Sequence, residues 1–426
     1  MNLRQKIVQE IREHGPMPFA RYMEVCLYHP ELGYYSRDAE QFGKAGDFYT
    51  SSDVHAVFGR LLARQFEEIW RALGAPNSIE ILELGPGRGL FAQDVLDWSE
   101  KKFPGFFEAL HYSLTEQSPA LRQRLQATLE RRFQTAKASL AGGSVSDDAK
   151  VIGKGTTLVM PNDIPTARAL AAEVPIIVFA NEFFDALPVE VLSQQGQLFI
   201  SEKNGQLFEV WYPPSPEAME FLDRYSVHPE VGERVEASLI AQRYISKIAA
   251  AIERGVIIAI DYGYTRQEQL AGRHRGTIVA YRQHSVSTNP YEAPGEQDIT
   301  AHVNFTALDA AAETQGMQMQ PLMTQSQFLL GIGEHNQFAD LFEDCQLPQE
   351  RAKVALQLKH LVTPAGMGET FHVLIASKGV EPEKVAALSG LMFGRTAREL
   401  HKTKFLKRIR TFYTQAMVLV QVQQHL

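Results

Sequence analysis

Cysteine, long apolar runs and a targeting segment are the features that this 426-residue sequence has least of. Its two cysteines, Cys26 and Cys345, cannot form a four-ligand zinc site, no H-E-x-x-H motif is present, and each is interpreted as an isolated thiol. The absence of an apolar run of about 18 residues predicts no membrane span. The N-terminus has no apolar core and carries Glu10 and Glu13, so we expect a cytoplasmic protein.

An excess of basic residues is also missing. Lys and Arg number 42 against 50 Asp and Glu, and the net charge of −8 counts against a nucleic-acid-binding surface. The 45% of hydrophobic residues and 22% of charged residues are typical of a soluble globular protein. The length suits two domains or one large domain with insertions.

A glycine-rich turn at 79–91, IEILELGPGRGLF, is the most informative stretch. Its apolar first half predicts a buried strand, and a helix is predicted to begin at Leu90. The glycines between them remove Cβ atoms where a ligand approaches, and the helix start adds free N–H groups: these glycines are Gly85, Gly87 and Gly89. The pattern predicts a cofactor site, and the alternative is a turn without a ligand.

The spacing within this turn separates two cofactors. The dinucleotide fingerprint G-x-G-x-x-G places a third glycine where this chain has Leu90, which makes a dehydrogenase the least favoured hypothesis. The segment instead resembles the first motif of class I S-adenosylmethionine-dependent methyltransferases, E/D-x-G-x-G-x-G, with Glu83 as the acid.

Apolar strands alternate with helices along the chain, which predicts an α/β fold with a mostly parallel sheet and helices on both faces. We predict an N-terminal helical and loop cap over the cofactor site (1–72), a core (73–380) and a helical C-terminal tail (381–426). The core carries a hairpin at about 188–212, signalled by Asn204-Gly205, and a helical substrate-side insertion at about 295–365. The apolar end of the tail packs on its own domain or forms a homodimer contact.

Secondary structure is predicted in detail for several segments. Helices are expected at 3–14, 54–70, 90–102 and 235–254, and a polar, exposed insertion at 136–155. Strands are expected at 79–84, 158–160, 174–180, 256–261, 277–281 and 371–376. A further strand is expected to end at Glu116.

Acids and amides follow four of the predicted strands, where open α/β sheets bind ligands. They lie in the segments Glu83–Gly89, Glu116, Asn181–Asp185 and Asp261–Gly263. Glu116 comes 33 residues after Glu83, which is more than a compact dinucleotide unit needs, so an insertion in the helix between them is expected. Its carboxylate is predicted to accept hydrogen bonds from a ribose, and the alternative is an ordinary acid at a helix start.

The segment NEFFDALP at 181–188 sets two carboxylates and an amide among aromatic residues after an apolar strand. Carboxylates are costly to keep there unless they are paired, and a guanidinium is a suitable partner because it is planar and always charged. Glu182 and Asp185 are therefore predicted to face a cationic acceptor. The alternatives are a pair with an internal arginine or, for Asp185, a turn cap.

Long segments across about residues 1–380 resemble the MidA-type methyltransferases. This family is found in bacteria and, as an assembly factor of respiratory complex I, in mitochondria. These segments are CLYHPELGYYS, FGKAGDFYTSSDVHAVFGRLLA, ILELGPGRG, ANEFFDALPV, IIAIDYGY, APGEQDITAHVNF, TQSQFLLGIG and PAGMGETFHVLIASKG. The resemblance implies a class I methyltransferase core that uses S-adenosylmethionine. In the mitochondrial member it implies symmetric dimethylation of an arginine in a core complex I subunit.

The resemblance also assigns residues. It implies that Glu83, the three glycines and Glu116 hold the cofactor, that Asn181, Glu182 and Asp185 form the substrate side, and that the pocket lid contains Gly46, Asp47 and the run from Tyr49 through Thr50 to Ser51. Asn181 stands where His is expected in many relatives, which counts against a role as a base. Asp298 and His302 are interpreted as structural hydrogen-bonding residues.

Methyl transfer from a sulfonium needs positioning and exclusion of water, so no metal and no nucleophilic Ser or Cys is expected. The first hypothesis is a protein-arginine methyltransferase. The second is a small-molecule methyltransferase with the same core, and the third is an assembly or scaffold protein that binds the cofactor without turnover. Glu182 and Asp185 favour a cationic acceptor over a neutral one.

Overall fold

The structure is a computed structural model that describes residues 1–36, 56–140, 174–282, 285–334 and 336–392. The strands are β1 (Met17–Pro18), β2 (Ile79–Leu84), β3 (Leu110–Thr115), β4 (Ala138–Leu140), β5 (Ile176–Asn181), β6 (Glu190–Ser193), β7 (Gly196–Lys203), β8 (Gln206–Tyr212), β9 (Val235–Ala237), β10 (Gly255–Tyr264), β11 (Val279–Arg282), β12 (Ser285–Ser287), β13 (Asp298–Thr300), β14 (Val303–Asn304), β15 (Gln318–Met319), β16 (Met323–Thr324) and β17 (Phe371–Lys378).

The helices of the described ranges are distributed between and around these strands. They are α1 (Leu3–His14), α2 (Phe19–Tyr28), α3 (Ala56–Ala72), α4 (Leu90–Lys102), α5 (Pro104–Ala109), α6 (Pro119–Thr128), α7 (Glu130–Gln134), α8 (Pro216–Tyr225), α9 (Leu239–Ala251), α10 (Arg266–Leu270), α11 (Phe305–Thr314), α12 (Gln325–Glu334), α13 (Ala339–Phe342), α14 (Pro348–Val362) and α15 (Pro382–Ala386). Across these ranges, every helix is too short or too polar to span a bilayer.

The central sheet has the strand order β15-β17-β10-β5-β2-β3-β4. The pairs from β10 to β4 are parallel, and β17 pairs antiparallel with β10 and β15. From β2 the chain proceeds outward through β3 and β4, and then returns to the other side of β2 to form β5 and β10. The reversal places the switch point of the sheet between β2 and β5, where the carboxyl ends of the strands leave a crevice.

The central strands are apolar throughout because each supplies both faces of the sheet. In β5, Ile177 and Phe179 belong to one buried cluster while Ile176 and Val178 belong to another on the opposite face. The first cluster is covered by α3, α4 and α12, and the second by α9 and α11. This pattern confirms the predicted α/β fold with helices on both faces.

A second group of elements packs beside this core. The strands β1, β7, β6 and β9 form a sheet to which β8 is added by pairing with β7, and β11, β12 and β13 form a third. Helices α1 and α2 share a buried cluster with strands of both sheets. The predicted Asn-Gly hairpin is confirmed, since Asn204 (φ 54°) and Gly205 (φ 80°) join β7 to β8 in left-handed conformations.

Several sequence predictions match the observed elements. The strand at 79–84 and the helices at 3–14 and 90–102 have the predicted bounds. The insertion expected in the helix before Glu116 is instead a separate short helix, α5, which follows α4 directly and begins with Pro104 at its first position.

Three predictions need correction. The helix predicted at 235–254 is the strand β9 followed by the shorter helix α9. The segment from 136, predicted as a polar insertion, contributes β4, which pairs with β3 at the end of the central sheet. The strand predicted at 277–281 was counted with the central strands, but β11 lies in the three-stranded sheet.

The division into cap, core and tail stays a prediction. Helices of the 295–365 segment pack on both faces of the central sheet: α11 packs on α9, while α12 and α14 pack on α3, a helix that the prediction assigned to the cap. The predicted strand at 158–160, the helix start at 54–55 and the tail beyond 392 lie outside the described residues.

Candidate active site

The loops after β2 and β5 lie beside each other at the switch point of the sheet. A Cβ atom added to Gly85 would come within 3.0 Å of Cδ2 of Phe183, so a side chain of the second loop packs directly on the first. The Gly85 N–H donates to the carbonyl of Thr115 at 3.0 Å, which joins the start of the first loop to the end of β3. The ends of three strands therefore converge on one crevice.

The glycine loop has the left-handed backbone that its composition predicts. The φ angles are 64° at Gly85, 54° at Gly87 and 77° at Gly89, all in the region that favours glycine. Gly89 is the N-terminal capping residue of α4, and its N–H donates to the carbonyl of Pro86 at 2.9 Å. The loop thus brings backbone N–H groups and the positive end of the helix to the crevice.

Space at the loop differs among the three glycines. A Cβ at Gly89 would lie 3.3 Å from Leu125, so this glycine is needed for contact with α6. At Gly87 a Cβ would meet no atom within 4 Å in the described part of the chain, which leaves open space over the middle of the loop. This open cradle beside the N-terminal end of α4 fits the approach of a small cofactor.

Glu83 and Glu116 provide carboxylates on either side of this loop. Glu83 is buried, and its carboxylate accepts a hydrogen bond from the Tyr112 hydroxyl at 2.9 Å. Burial raises the pKa of Glu83 to about 8, the Tyr112 bond lowers it, and the Glu116 charge raises it. Glu83 lies beneath the loop and holds the neighbouring strand, which agrees with support of the loop as much as with contact to a ligand.

Glu116 follows β3 and faces the glycine loop. Its carboxylate accepts the Ser118 N–H at 2.9 Å, while Ser118 caps α6. Burial raises the pKa of Glu116 to about 7, and backbone N–H groups of Ser118, Gln117 and Gly87 lower it. The contribution from Gly87 places this carboxylate next to the glycine cradle, where a ribose hydroxyl pair would find an acceptor.

The second loop begins at Asn181, the last residue of β5. The Asn181 side-chain amide donates to Glu182 at 3.1 Å, and Glu182 has a φ of 50°, a strained conformation for a residue with a side chain. Asp185 is buried, and its Oδ2 accepts a hydrogen bond of 2.6 Å from the Tyr262 hydroxyl. Burial raises the pKa of Asp185 above its usual range.

Two acceptor atoms of this loop are buried without a hydrogen-bond partner among the described residues. They are Oδ1 of Asn181 and Oδ1 of Asp185. Buried acceptors are normally satisfied, so these two oxygens mark a place where a donor group of a ligand or of another segment belongs.

Asp261 and Tyr262 lie within β10, just beyond its last pair with β5, and bind the loop after β5. Oδ2 of Asp261 lies 3.2, 2.9 and 3.3 Å from the backbone N–H groups of Phe183, Phe184 and Asp185, which donate to it. Oδ1 accepts the Tyr262 N–H at 2.9 Å. Burial and the nearby carboxylate of Asp185 hold the pKa of Asp261 well above its usual range.

Two tyrosines of the N-terminal segment contact the loop after β5 and the segment after β3. The Tyr28 hydroxyl donates to the carbonyl of Ala186 at 2.9 Å, and the Tyr35 hydroxyl donates to Asp298 at 2.9 Å. The Ser118 hydroxyl donates to the carbonyl of Tyr35 at 2.6 Å. Since the centroids of the two rings are 5.5 Å apart, this tyrosine pair connects the loop after β5 with the segment after β3.

The structure brings most of the predicted site residues together. Around the crevice lie Glu83, Gly85, Gly87, Gly89, Glu116, Asn181, Glu182 and Asp185. The predicted lid residues Gly46, Asp47, Thr50 and Ser51 fall outside the described residues. Asp298 is buried and bonded to Tyr35, and the ring of His302 packs on Tyr262, which agrees with the structural roles predicted for both.

Sequence reasoning left Tyr28, Tyr35, Asp261 and Tyr262 out of the predicted site. The pair Asp261-Tyr262 was recognised as a polar strand end, and that position is the signal that identifies it. The tyrosines gave no local signal, because Tyr35 contacts Asp298 across 263 residues of chain. In the part of the chain that is described, no group of three or more His, Cys, Asp and Glu side chains is arranged to hold a metal ion.

Comparison with known proteins finds relatives that match most of the chain. Residues 61–323 match the family named "Putative S-adenosyl-L-methionine-dependent methyltransferase". The chain is 30% identical to the protein arginine methyltransferase NDUFAF7 homolog of Drosophila melanogaster mitochondria, over 89% of this chain and 85% of that protein. It is 28% identical to the human mitochondrial protein arginine methyltransferase NDUFAF7, over 86% of this chain and 81% of the human protein.

Two crystal structures of a Burkholderia thailandensis protein have the same fold over nearly the whole chain. The structure bound to S-adenosyl-homocysteine gives a TM-score of 0.71 at 26% identity, covering 93% of this chain and 94% of that one. The native structure gives a TM-score of 0.70 at 26% identity, covering 91% and 93%.

Proposed function

This chain belongs to a family of S-adenosyl-L-methionine-dependent methyltransferases, and on that basis we propose that it methylates the guanidinium of an arginine in a protein substrate. The cofactor supplies an electrophilic methyl group on a sulfonium. The protein's part is to position the acceptor nitrogen and to exclude water.

The buried carboxylate of Asp185 is the observation that carries the choice of acceptor. Its Oδ2 is fixed by Tyr262, while its Oδ1 is buried without a partner among the described residues. A guanidinium N–H donates to such an oxygen in a charge-assisted bond, and the cation offsets the repulsion between buried acids. A neutral small molecule would leave that repulsion in place.

Neighbouring groups extend the acceptor side. Oδ1 of Asn181 offers a second buried acceptor, and the Glu182 carboxylate, one residue further on, adds charge at the same loop. These acceptors orient the guanidinium by its N–H groups, so that one nitrogen faces the methyl group. The product loses a proton after transfer, and Glu182 is the carboxylate proposed to receive it.

The cofactor side is proposed to use the glycine cradle and Glu116. The backbone N–H groups of the loop and the start of α4 would hold the carboxylate of the cofactor's amino acid end. The Glu116 carboxylate would accept both ribose hydroxyls. We further propose a cytoplasmic location, and the resemblance of the sequence suggests a respiratory complex I subunit as the source of the arginine.

Methyl transfer to whole protein extract tests this proposal. Extract from cells that lack this protein is incubated with the enzyme and S-adenosylmethionine carrying a labelled methyl group. The protein fraction is then hydrolysed and its amino acids are separated. We expect label in methylated arginine. Label only in small molecules, label only in another amino acid, or no label at all would contradict the proposal.

Replacement of Glu182 separates acceptor chemistry from cofactor binding. Glu182→Gln keeps the size of the side chain and removes its charge, so transfer should fall by about 100-fold or more, while affinity for S-adenosyl-homocysteine stays unchanged. Transfer rate and calorimetric affinity are measured on the same preparation. An equal loss of both would show that Glu182 supports the cofactor or the fold instead.

A further inference from the structure

The loop that carries the acceptor-side acids adopts a backbone that its own sequence does not favour. Glu182 has a φ of 50°, and a residue with a Cβ atom adopts this conformation only where the surroundings hold it. Its N–H donates to the carbonyl of Ile260 at 2.9 Å, just beyond the last ladder pair between β5 and β10, which joins Asn181 to Ile260. The three residues after Glu182 leave the sheet and have no ladder partner on this strand.

Asp261 supplies the missing acceptor for this turn. One carboxylate oxygen receives the N–H groups of Phe183, Phe184 and Asp185, at 3.2, 2.9 and 3.3 Å. The carboxylate is about 1% exposed, so water does not compete for these bonds. Three converging N–H groups on one buried oxygen fix the direction of the loop as it leaves β5.

The next residue on the same strand fixes the side chain of Asp185. The Tyr262 hydroxyl donates to Oδ2 of Asp185 at 2.6 Å, and the Tyr262 ring packs against His302 and Phe371 with centroid distances of 5.2 and 5.5 Å. The Asp185 carbonyl also accepts the Ala301 N–H at 3.0 Å. The backbone and the side chain of Asp185 are therefore both fixed by hydrogen bonds, and these bonds also fix the orientation of its Oδ1.

We infer that Asp261 is a positioning residue for methyl transfer, which holds residues 183–185 in the turn that presents Glu182 and Asp185 to the acceptor. This inference rests on the proposed function. Asp261 acts through the loop, because its four hydrogen bonds to backbone N–H groups leave its oxygens occupied by the protein itself. Tyr262 completes the arrangement by setting the rotamer of Asp185.

The substitution Asp261→Asn tests this role at constant size. An amide has one acceptor oxygen, so its NH₂ group must face either the three loop N–H groups or the Tyr262 N–H, and donors then oppose donors. Hydrogen exchange of the amides at 183–185 should accelerate by about tenfold or more, and kcat should fall by a similar factor with a raised acceptor KM. Affinity for S-adenosyl-homocysteine should stay within about twofold of wild type.

Glu236→Gln is the matched control. Glu236 is also a buried carboxylate that accepts a backbone N–H, from Thr277 at 2.9 Å, and it holds a different segment. Its substitution makes the same chemical change and should leave exchange at 183–185 unaltered. Tyr262→Phe removes only the hydroxyl bond to Asp185, so it should reduce kcat while exchange at 183–185 stays as in wild type. If Asp261→Asn does not fold, exchange in the wild-type protein still tests the inference, because amides at 183–185 that exchange as fast as unprotected backbone would show that Asp261 does not hold them.

The outcomes separate this inference from the proposed function. Wild-type transfer to arginine together with a selective kcat loss in Asp261→Asn supports it. Unchanged exchange and kcat in Asp261→Asn would overturn it, and so would a parallel loss of melting temperature, cofactor affinity and transfer in both Asp261→Asn and Glu236→Gln. If the wild-type enzyme methylates no arginine, the proposed function fails, while exchange at 183–185 still decides whether Asp261 holds the loop.

Discussion

Gly87, in the glycine-rich loop, differs from other left-handed glycines because the space beside it is the predicted cofactor site. Gly87 (φ 54°) and Gly232 (φ 82°) both have open space within 4 Å of a Cβ among the described residues. A valine at either position adds a backbone cost of roughly 1–3 kcal/mol. Only at Gly87 does the added side chain enter the predicted cofactor space.

The substitutions Gly87→Val and Gly232→Val should therefore differ in their effect on cofactor affinity. Gly87→Val should weaken S-adenosyl-homocysteine binding by about 100-fold or more, equivalent to roughly 3 kcal/mol, whereas Gly232→Val should bind as wild type does. Calorimetric titration and a melting curve for both proteins provide the comparison. If Gly87→Val binds S-adenosyl-homocysteine with wild-type affinity, the glycine loop is not part of the cofactor site.

Glu116 predicts a pH dependence of cofactor binding. Burial raises its pKa to about 7, so the carboxyl group is ionised above that pH and protonated below it. The proposed hydrogen bonds from the two ribose hydroxyls require the ionised form. The dissociation constant for S-adenosyl-homocysteine should therefore be constant above about pH 7 and rise up to about tenfold per pH unit below it.

The variant Glu116→Gln isolates this effect from other titrating acids. It should bind the ligand more weakly, and the part of the pH dependence due to Glu116 should disappear. Titrations of both proteins between about pH 5.5 and 8.5 measure this, within the range where carboxyl groups with raised pKa values titrate. A wild-type dissociation constant that does not vary with pH would show that the ribose does not bind to this carboxylate.

Aromatic packing between β5 and α4 supports the strand end that carries the acceptor loop. The Phe179 ring stacks on Phe91 with centroids 4.5 Å apart and contacts Phe66 at 5.5 Å, and all three rings are buried. Phe179→Ala should lower the free energy of unfolding by about 3–5 kcal/mol, because it leaves a cavity in the core.

Phe208→Ala makes the same change on β8, where the side chain is 42% exposed. Its cost should be within about 1 kcal/mol, and denaturant unfolding followed by circular dichroism compares the two variants. Equal destabilisation would contradict the assignment of Phe179 to a packed core.

The strand β2 and the helices α1 and α4 were predicted with their bounds, and weakly patterned elements were not. The strand β2 and helix α4 are joined by glycines that punctuate the chain on both sides of Pro86. Val235–Ala237 has too few residues to distinguish a strand from a helix start by periodicity, and its pairing with β6 decides the matter. The edge strand β4 is short and partly polar, and only its pairing with β3 reveals it.

Site residues were predictable where chemistry and strand position coincide. Glu116 and Asp185 are acids at the ends of strands, and both lie at the crevice. The bonds of Asp261 to the loop were not predictable, because they join positions 76 to 78 residues apart and one partner is backbone, which has no sequence signature. Such contacts follow only from the pairing of β5 with β10.

The order of strands in the central sheet explains how one crevice could serve both reactants of the proposed reaction. Reversal at β2 and β5 brings the glycine loop and the acidic loop together, although nearly a hundred residues separate them in sequence. The N-terminal segment contacts the acidic loop through Tyr28, and through Tyr35 it contacts Ser118 in the segment that carries Glu116. The whole arrangement is a methyltransferase core whose chemistry depends on holding cofactor and acceptor at adjacent loops.

Calorimetric titration of the purified chain with S-adenosyl-homocysteine, with NADH as a parallel titrant, is the most direct test of this arrangement. A single site of micromolar affinity for S-adenosyl-homocysteine and no heat from NADH are expected, because the glycine spacing and Glu116 suit a nucleoside with an amino acid end. Binding of NADH, or of neither ligand, would contradict the assignment of this crevice to a methyl donor.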